Sequence, residues 1–559
     1  MTRSFRLIGM DDLYENIRSR NAKRWGTDRF EIADRFGQEF HVGFPDLLAE
    51  LVQNADDAKA RVLGIRVLDG GLLVWNDGQP FGMKDLEAIT GLWISEKEAS
   101  AIGYFGIGFK AVLTVTRTPC VLSGDYRFWL KGGLDPYPLD VRSEEGDDPP
   151  LIPMLPDDVQ NFAENGAVFW LPWEEGGVIR DSIRQELEGL RERIGEFLLF
   201  LDNLEILDLN GDCYETERRK QSSQSYLVLL RASDGSEKRY LRLCRTEYPP
   251  PEVVAEVLRV LKPGDKRRQR WEENPPEGLF GVAIRLDKEN KPQETKGKVF
   301  VYLPTAKFAG FRFHLQLHAA LTGDRKRLKT TDPITKWGLN ELIESIRQLP
   351  GWLRENGMFP TVWQVFPKDG EAEEPFVSVA RKLLGVLRKG DFFSGCDGKL
   401  YRPEQVLLAH REELYDLLTL QDLAEITKRE DVRWVHAELR TGRAREVIKS
   451  LGVRELNRDE ILTWLYEKTD PEWWEKRDKK WLMRLYKYLK DITSGFDNWK
   501  ILDQIKQIPL VRLRDGTHVK PEKAILPPES SKVPEPLRSE IDYLPLVDEE
   551  LAENDSEFP

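Results

Sequence analysis

The stretch PDLLAELVQNADDAKA, residues 45–60, has the pattern of an amphipathic helix that begins at Pro45. Its apolar residues recur on one side: Leu47, Leu48, Leu51 and Val52. Glu50 and Asn54 are four residues apart, so both project from the same helical face. A carboxylate there can hold an attacking water as a general base, and an amide oxygen one turn later suits Mg²⁺. Taken alone, the pair is more typical of an exposed polar face.

The residues that follow this helix predict the rest of one α/β layer. Further helices are expected from about Met83, from Phe109 and over Asp181–Leu199. The acidic, proline-rich stretch Asp135–Asp158 is typical of a surface loop. Apolar runs of strand length give the expected strands: 62–69, 71–77, Pro119–Ser123, Tyr126–Leu130, Ala167–Leu171 and Leu204–Leu209, the last closing the layer.

The motif WNDGQPF, residues 75–81, ends one of these strands with an Asn–Asp–Gly turn. An amide or carboxylate acceptor here, Asn76 or Asp77, can accept a hydrogen bond from the amino group of an adenine base. Gly78 lets such a base approach the backbone closely because it has no side chain. By itself, the motif is more typical of a hairpin turn than of a ligand site.

The motif IGYFGIGFK, residues 102–110, is a glycine-rich turn that leads into an apolar helix. Backbone amides from Gly106 to Phe109 can bind phosphate oxygens at the start of that helix, and Lys110 adds positive charge. The motif lacks the Gly-Lys-Ser/Thr ending of a P-loop, and its G-x-x-G-x-G spacing does not fit the dinucleotide-binding fingerprint. On its own, such a loop does not identify a nucleotide site.

In this order, the segments ELVQNADDA, NDG and IGYFGIGFKAV resemble the N, adenine and glycine boxes of the GHKL ATPases. The sacsin-type branch, which is similar to the heat-shock chaperone ATPases, matches best, since DRFGQEF (34–40) resembles the segment before its N box. The resemblance covers residues 30–340. It implies a Bergerat α/β sandwich that binds and hydrolyses ATP with Mg²⁺.

The resemblance implies a role for each residue of the helix motif. Glu50 corresponds to the base that activates water, and Asn54 corresponds to the magnesium ligand. Asp57 and Ala58 fall where the family lines its nucleotide pocket. These four residues would therefore belong to one binding site.

The resemblance also concerns the adenine side of the pocket. Alignment on Gly78 places Asn76 where many relatives have the base-reading aspartate, and both Asn76 and Asp77 remain candidates. One departure lies in ENGAVFWLP, where Gly166–Ala167 stands in place of the usual Gly-Thr. The hydroxyl that helps to bind adenine is missing, which implies weaker binding but the same fold.

The phosphate side involves two further segments. GLWISEKEASA, residues 91–101, corresponds to the ATP lid, in which Lys97 can reach a phosphate on closure. In segment 302–329 the family places a basic residue that reaches the γ-phosphate and stabilises its charge. Arg325 is the candidate, with Arg327 as the alternative. The glycine box supplies the hinge and the phosphate turn: Gly103, Gly106, Ile107, Gly108, Phe109 and Lys110.

The chain, at 559 residues, is long enough for several domains and is expected to be an α/β multidomain protein. We expect a GHKL ATP-binding domain over 1–212, a transducer-like α/β middle domain over 213–337 and a mainly helical C-terminal region over 338–559. Segments 397–408 and 515–526 share the pattern D-G-x-x-x-x-P-E-x-x-x-L. Each predicts a β-turn followed by a short element that begins at proline.

Composition and charge limit the partners. The net charge of −13 does not support nucleic-acid binding, although PGDKRRQRWEEN (263–274) could contact phosphate; we interpret that segment as a solvated loop. The four cysteines form no CxxC pair, which argues against a zinc ribbon or a disulfide framework. No run reaches the ~20 apolar residues that cross a bilayer, and no secretory signal begins the chain, so we expect a cytoplasmic protein.

Two functions remain open. The first is an ATPase whose lid closure drives conformational change or engagement of a protein partner through the C-terminal region, in a chaperone-like, antiviral defence or stress role. The second is a nucleotide-gated interaction or scaffold protein with little or no hydrolysis. Glu50 favours the first function, and Ala167 favours the second. The resemblance also implies a homodimer on nucleotide binding.

Overall fold

A computed structural model describes most of the chain, and contacts between residues divide it into two units. The first unit comprises residues 1–358 and 365–383, and the second unit comprises residues 359–364 and 384–559. The structure describes these residues: 2–26, 28–31, 44–91, 112–143, 146–174, 178–190, 194–261, 266–322, 327–493, 499–527 and 545–552.

A mixed sheet of 14 strands runs through the described part of the first unit. Its spatial order is β13-β12-β14-β11-β10-β9-β8-β7-β1-β2-β6-β3-β4-β5, with the strands numbered along the chain. They are β1 Val62–Val67, β2 Gly71–Asn76, β3 Cys120–Ser123, β4 Tyr126–Lys131, β5 Asp135–Pro138, β6 Ala167–Pro172, β7 Ile206–Leu209, β8 Asp212–Lys220, β9 Ser225–Ala232, β10 Glu237–Glu247, β11 Gly278–Leu286, β12 Lys298–Val301, β13 Leu303–Phe308 and β14 His314–Gln316. β1 pairs with β7, and β12 with β14, in parallel, and the other adjacent strands are antiparallel.

The described helices of the first unit pack on this sheet or on one another. They are α1 Thr2–Trp25, α2 Phe44–Asp57, α3 Met83–Ile89, α4 Asp157–Gln160, α5 Phe162–Asn165, α6 Val178–Leu190, α7 Pro251–Val260, α8 Lys266–Glu273 and α9 Pro333–Glu355. The helix predicted over 45–60 is thus confirmed as α2. It ends because Lys59 takes a left-handed backbone conformation, with φ at +60°. The amide of Ala60 then bonds back to the Ala55 carbonyl at 2.9 Å, as in a Schellman cap.

Strand β2 is buried on both faces, so its residues join two different cores. Leu72 and Val74 pack in the cluster that contains the apolar face of α2. Leu73 and Trp75 point to the opposite face and pack in a second cluster. This alternation follows from the two-residue period of a strand and fixes which side chains of β2 share a face with α2.

The strand predicted over Leu204–Leu209 forms β7, but it does not close the layer, because β8 pairs with it in an antiparallel hairpin. Asn210 and Gly211 connect the two strands with φ values of +55° and +89°, as a two-residue type I′ turn requires. The sheet continues through this hairpin. The boundary expected at 212/213 therefore falls at the start of β8.

The surface loop predicted over Asp135–Asp158 is wrong at its start, where Asp135–Pro138 forms β5 and packs against α1. Asp135 is fully buried. Its carboxylate accepts hydrogen bonds from Arg29 Nε at 2.9 Å and from Asn21 Nδ2 at 3.1 Å. Burial raises the pKa of the Asp135 carboxyl, and these two partners oppose the rise. The buried carboxylate of Asp135 therefore has its hydrogen-bond partners inside the fold.

The basic segment around Trp271 is also not the solvated loop that its composition predicts. Residues Lys266–Glu273 form α8, and Trp271 is buried against Val257 and Leu261 of the preceding segment. Its ring is therefore occupied by packing. It is not available to stack on a nucleic-acid base.

Buried His314 of β14 gives the first unit a pH-dependent stability. Its Nδ1 accepts the Lys298 amide at 3.1 Å, and burial lowers the pKa of the imidazole to about 4. Between pH 6.5 and 4 the unfolded chain binds a proton that the folded chain excludes, so stability falls as the pH falls through this window. We expect about 2 kcal/mol of unfolding free energy to be lost between pH 7.5 and 5 through this residue.

The variant His314→Asn, which keeps an acceptor for the Lys298 amide, removes that contribution. Denaturant unfolding at pH 7.5 and at pH 5 measures it. The variant should show a smaller difference between the two pH values than the wild type. An unchanged difference would contradict the assignment.

The second unit contains short helices and small sheets in its described residues. The hairpins are β15 Phe393–Ser394 with β16 Leu400–Tyr401, and β20 Val511–Arg512 with β21 His518–Val519. A parallel sheet has the order β18-β17-β19, from Arg433–Trp434, Val406–Ala409 and Arg454–Leu456. The helix α10, Val377–Lys389, includes residues of both units. The later helices are α11 Leu414–Leu417, α12 Leu420–Thr427, α13 Gly442–Ser450, α14 Arg458–Glu467, α15 Pro471–Glu475, α16 Lys479–Thr493, α17 Trp499–Ile505 and α18 Glu549–Ala552.

Candidate functional site

The candidate site begins with a polar row on α2. The opposite side of the helix is buried on the sheet through residues such as Leu48, Val52 and Ala55. The first member of the row is half-buried and the next two are exposed. The row occupies positions i, i+4 and i+7, so its members share one face of the helix: Glu50, Asn54 and Asp57.

The end of α2 lies directly against the turn after β2. A Cβ placed on Gly78 would be 2.8 Å from the Cβ of Ala58, so only glycine allows this approach. The Gln79 amide donates to the Ala58 carbonyl at 2.8 Å. Glu50 lies about 12 Å from Ala58 along the helix, at 1.5 Å per residue. The structure thus joins the helix motif and the Asn–Asp–Gly turn, which the sequence only places in order.

Asn76 is the member of the turn that shares a face of the sheet with α2. Side chains alternate along β2, and Leu72 and Val74 pack on the α2 side, so position 76 lies on that side as well. Asn76 is buried, and its Oδ1 accepts the Gly78 amide at 3.0 Å. This bond fixes the side-chain rotamer of Asn76 beside the end of α2.

Asp77 has a structural role instead. Its Oδ1 accepts the backbone amides of Arg61 and Val62, each at 2.7 Å, and so fixes the start of β1. Asp56 acts in the same way on the segment before β7, because its Oδ1 accepts the amides of Asn203 and Leu204, each at 2.9 Å. Of the two adenine-box candidates, Asn76 is the one whose side chain is not used to hold a neighbouring strand.

The residues around Asn76 are closely packed. Ala167 of β6 is its cross-strand partner and is buried, so the position where a hydroxyl is missing lies beside Asn76. A Cβ on Gly166 would be 2.1 Å from the Asn76 carbonyl oxygen, which requires glycine there. Ser123 donates to the Gly166 carbonyl at 2.5 Å and accepts the Phe81 amide at 2.9 Å. Sequence reasoning missed Ser123, since a lone serine at the end of a strand carries no motif.

Several predicted site residues lie outside the described residues. Segment 92–111 contains the lid residue and the whole glycine box, and segment 323–326 contains the candidate arginine. The FGQ segment at 36–38 is also outside them. The roles of these residues stay predictions: Lys97, Gly103, Gly106, Ile107, Gly108, Phe109, Lys110 and Arg325.

The reserve candidate Arg327 is described and exposed. Its amide donates to the Thr322 Oγ1 at 3.1 Å, and its carbonyl accepts the Thr322 amide at 2.9 Å. Leu321 and Leu328 form an antiparallel bridge next to this pair. The backbone at both ends of segment 323–326 is therefore held together, which positions the base of that segment.

Metal and membrane features can be stated for the described residues. They contain no group of three or more His, Cys, Asp or Glu side chains arranged to hold a metal ion. Magnesium bound by one side-chain oxygen, water and phosphate would not require such a group. Among the same residues, no helix has the length and apolar character needed to cross a membrane.

Comparisons with known proteins do not assign the chain. No protein-family model matches it, and no curated protein matches it. Among solved structures, a crystal structure of the N-terminal domain of a DNA repair protein aligns with 57% of this chain and 98% of its own chain. The sequence identity is 7% and the TM-score is 0.29, which supports no argument about fold or function.

Proposed function

We propose that this chain binds and hydrolyses ATP with Mg²⁺ as an ATPase of the GHKL type. The observation that carries the proposal is the contact of Ala58 with Gly78. It joins the polar row of α2 to the turn that holds Asn76, two motifs whose order and residues resemble the N and adenine boxes. In this proposal, α2 and the β1-β2-β6 part of the sheet form the core of a Bergerat sandwich.

The residues have distinct tasks in this proposal. Asn76, buried beside the end of α2, accepts a hydrogen bond from the adenine amino group. Asn54 offers its amide oxygen to Mg²⁺, which neutralises phosphate charge when bound. Glu50, one turn before Asn54 on the same face, holds and deprotonates water. Asp57 and Ala58 line the pocket between these two ends.

The assignment of Asn76 predicts a loss of affinity in Asn76→Ala. A lost buried hydrogen bond of about 1–1.5 kcal/mol weakens ATP binding roughly 5- to 13-fold. The matched control is Asp77→Asn, since its amide oxygen can still accept the amides of Arg61 and Val62. Titration calorimetry with ATP should give wild-type affinity for the control. Loss of affinity in the Asp77 variant alone would reverse the assignment.

The alternative is a nucleotide-gated interaction protein that binds ATP without hydrolysing it. Ala167 favours this alternative, because it lies beside Asn76 without the hydroxyl that relatives carry there. A single-turnover experiment separates the two functions. The protein in excess over radiolabelled ATP should convert it to ADP and phosphate if it is an ATPase. Recovery of intact ATP from the complex would establish the alternative.

The wider role is proposed from the resemblance alone: a cytoplasmic protein with a chaperone-like, antiviral defence or stress function that engages a protein partner through its C-terminal region. Dimerisation on nucleotide binding is expected from the same resemblance. Light scattering with a non-hydrolysable ATP analogue and Mg²⁺ should show twice the mass measured without nucleotide. Equal masses under both conditions would contradict dimerisation.

A further inference from the structure

The second unit contains the same small module twice. We name residues 393–439 copy A, and residues 511–527 with 545–551, the described part of the second instance, copy B. Each begins with a two-stranded hairpin, β15–β16 or β20–β21, which turns at an Asp–Gly pair. A 3₁₀ turn follows at Pro403–Gln405 in copy A and at Pro521–Lys523 in copy B. The shared sequence pattern therefore corresponds to a shared backbone path.

Matched hydrogen bonds show that the two copies fold alike over their described residues. In copy A, the Cys396 amide bonds to the Trp434 carbonyl at 2.8 Å, and in copy B the Arg514 amide bonds to the Leu546 carbonyl at 3.0 Å. Two further bonds correspond in the same way. The Val435 amide donates to the Leu407 carbonyl, as the Val547 amide does to the Ile525 carbonyl. The His436 amide donates to the Ser394 carbonyl, as the Asp548 amide does to the Arg512 carbonyl. The strand that returns to the hairpin is thus Trp434–Val435 in copy A and Leu546–Val547 in copy B.

The copies differ at the edge of the strand that follows the 3₁₀ turn, on the side where β19 lies in copy A. In copy A, β17 lies between β18 and β19, and Leu407 and Leu408 are 2% and 0% exposed. The corresponding residues of copy B, Ile525 and Leu526, are 44% and 57% exposed. Within residues 499–527 and 545–552, Ile525 pairs with Leu546, and no strand takes the place of β19. The same aliphatic pair is therefore buried in the core of copy A and exposed at the surface of copy B.

The backbone of copy B directs the amide and the carbonyl of Leu526 to that edge. The Ile525 amide donates to the Pro545 carbonyl at 2.9 Å, and the Ile525 carbonyl accepts the Val547 amide at 3.0 Å. Successive residues of a strand direct these groups to opposite sides, so those of Leu526 face away from Leu546. In copy A the corresponding residue, Leu408, is paired with Glu455 of β19.

We propose that the edge at Ala524–Leu526 binds a parallel β-strand of a partner polypeptide, as β17 binds β19 in copy A. The partner segment is of the α13–β19 kind: a short amphipathic helix followed by a strand, with aliphatic residues just before the strand and within it, as at Val453 and Leu456. Main-chain hydrogen bonds to Leu526 and burial of its side chain together supply the binding energy. This proposal rests on the second unit alone and requires no nucleotide.

The first experiment uses the full chain and a labelled peptide of residues Gly442–Asn457. Fluorescence anisotropy should show saturable binding to the wild-type chain and at least tenfold weaker binding to Leu526→Asp. Leu502→Asp changes another exposed leucine of the second unit and should bind like the wild type. A peptide with V453D and L456D should not bind. Equal binding to wild type and Leu526→Asp would overturn the proposal.

A second experiment places the strand on the same chain, which raises its effective concentration. Leu551 of copy B corresponds to Leu439 of copy A. A second instance of the sequence of residues 440–457 is therefore attached after Leu551, which reproduces the connection that leads to β19 in copy A. Hydrogen exchange should slow at the Leu526 amide in this extended chain, and Leu526→Asp should abolish the protection. If the extension leaves exchange at Leu526 unchanged and the peptide does not bind, the proposal is wrong.

Discussion

Glu50→Gln is expected to lower the rate of ATP hydrolysis by about 100- to 1,000-fold, as loss of a general base does. The amide is nearly the same size as the carboxylate but cannot take a proton from water. Glu50 is half-buried on a helix whose opposite face is in the core, so the substitution leaves the packing of α2 unchanged. ATP affinity should change little, because the step that is lost follows binding.

Release of inorganic phosphate measures this effect, with purified wild type and Glu50→Gln compared at saturating Mg-ATP. Glu188→Gln is the matched control, since it makes the same chemical change at an exposed position of α6. That control should keep the wild-type rate. Equal rates for wild type and Glu50→Gln would remove Glu50 from the mechanism.

Asn54→Ala has the second large expected effect, on binding. Its amide oxygen lies one turn from Glu50 and is exposed, where it can reach a hydrated ion. Its loss should weaken Mg-ATP binding by about 10- to 100-fold, or about 1.4–2.8 kcal/mol. Binding of ATP in the presence of EDTA should be similar in the variant and the wild type.

Calorimetric titrations with Mg²⁺ and with EDTA provide this comparison. Gln53→Ala, which changes the neighbouring half-buried side chain of the same helix, serves as its control. The two conditions are needed because a general loss of folding would reduce binding in both. A variant whose affinity still rises with Mg²⁺ as much as that of the wild type would show that Asn54 is not the ligand.

The local parts of the fold could be predicted from the sequence because their signals are local. The spacing of Leu48 and Val52 predicts α2, and alternating or continuous apolar runs predict β1, β2 and β6. The turn at Asn210–Gly211 carried an equally local signal for a hairpin. Because this turn pairs β7 with β8, Leu204–Leu209 continues the layer instead of closing it.

The rest depended on contacts between residues distant in sequence. Asp77 and Asp56 belong to motifs that resemble nucleotide-binding boxes, but their carboxylates hold the starts of β1 and of the segment before β7. The sequence around Asp135 is typical of an acidic loop. The partners that satisfy its carboxylate, Arg29 and Asn21, lie on or near α1, more than 100 residues earlier in the chain. Sequence patterns give residue types, whereas the partner of a buried polar group is set by topology.

The most direct test of nucleotide binding is equilibrium dialysis of the wild-type chain with radiolabelled ATP, in the presence of Mg²⁺ and in EDTA. The proposed site predicts one ATP per chain, tighter binding with Mg²⁺, and competition by unlabelled ATP but not by GTP, since Asn76 is proposed to accept a hydrogen bond from the adenine amino group. Folded protein that retains no ATP at millimolar concentrations with Mg²⁺ would contradict the account.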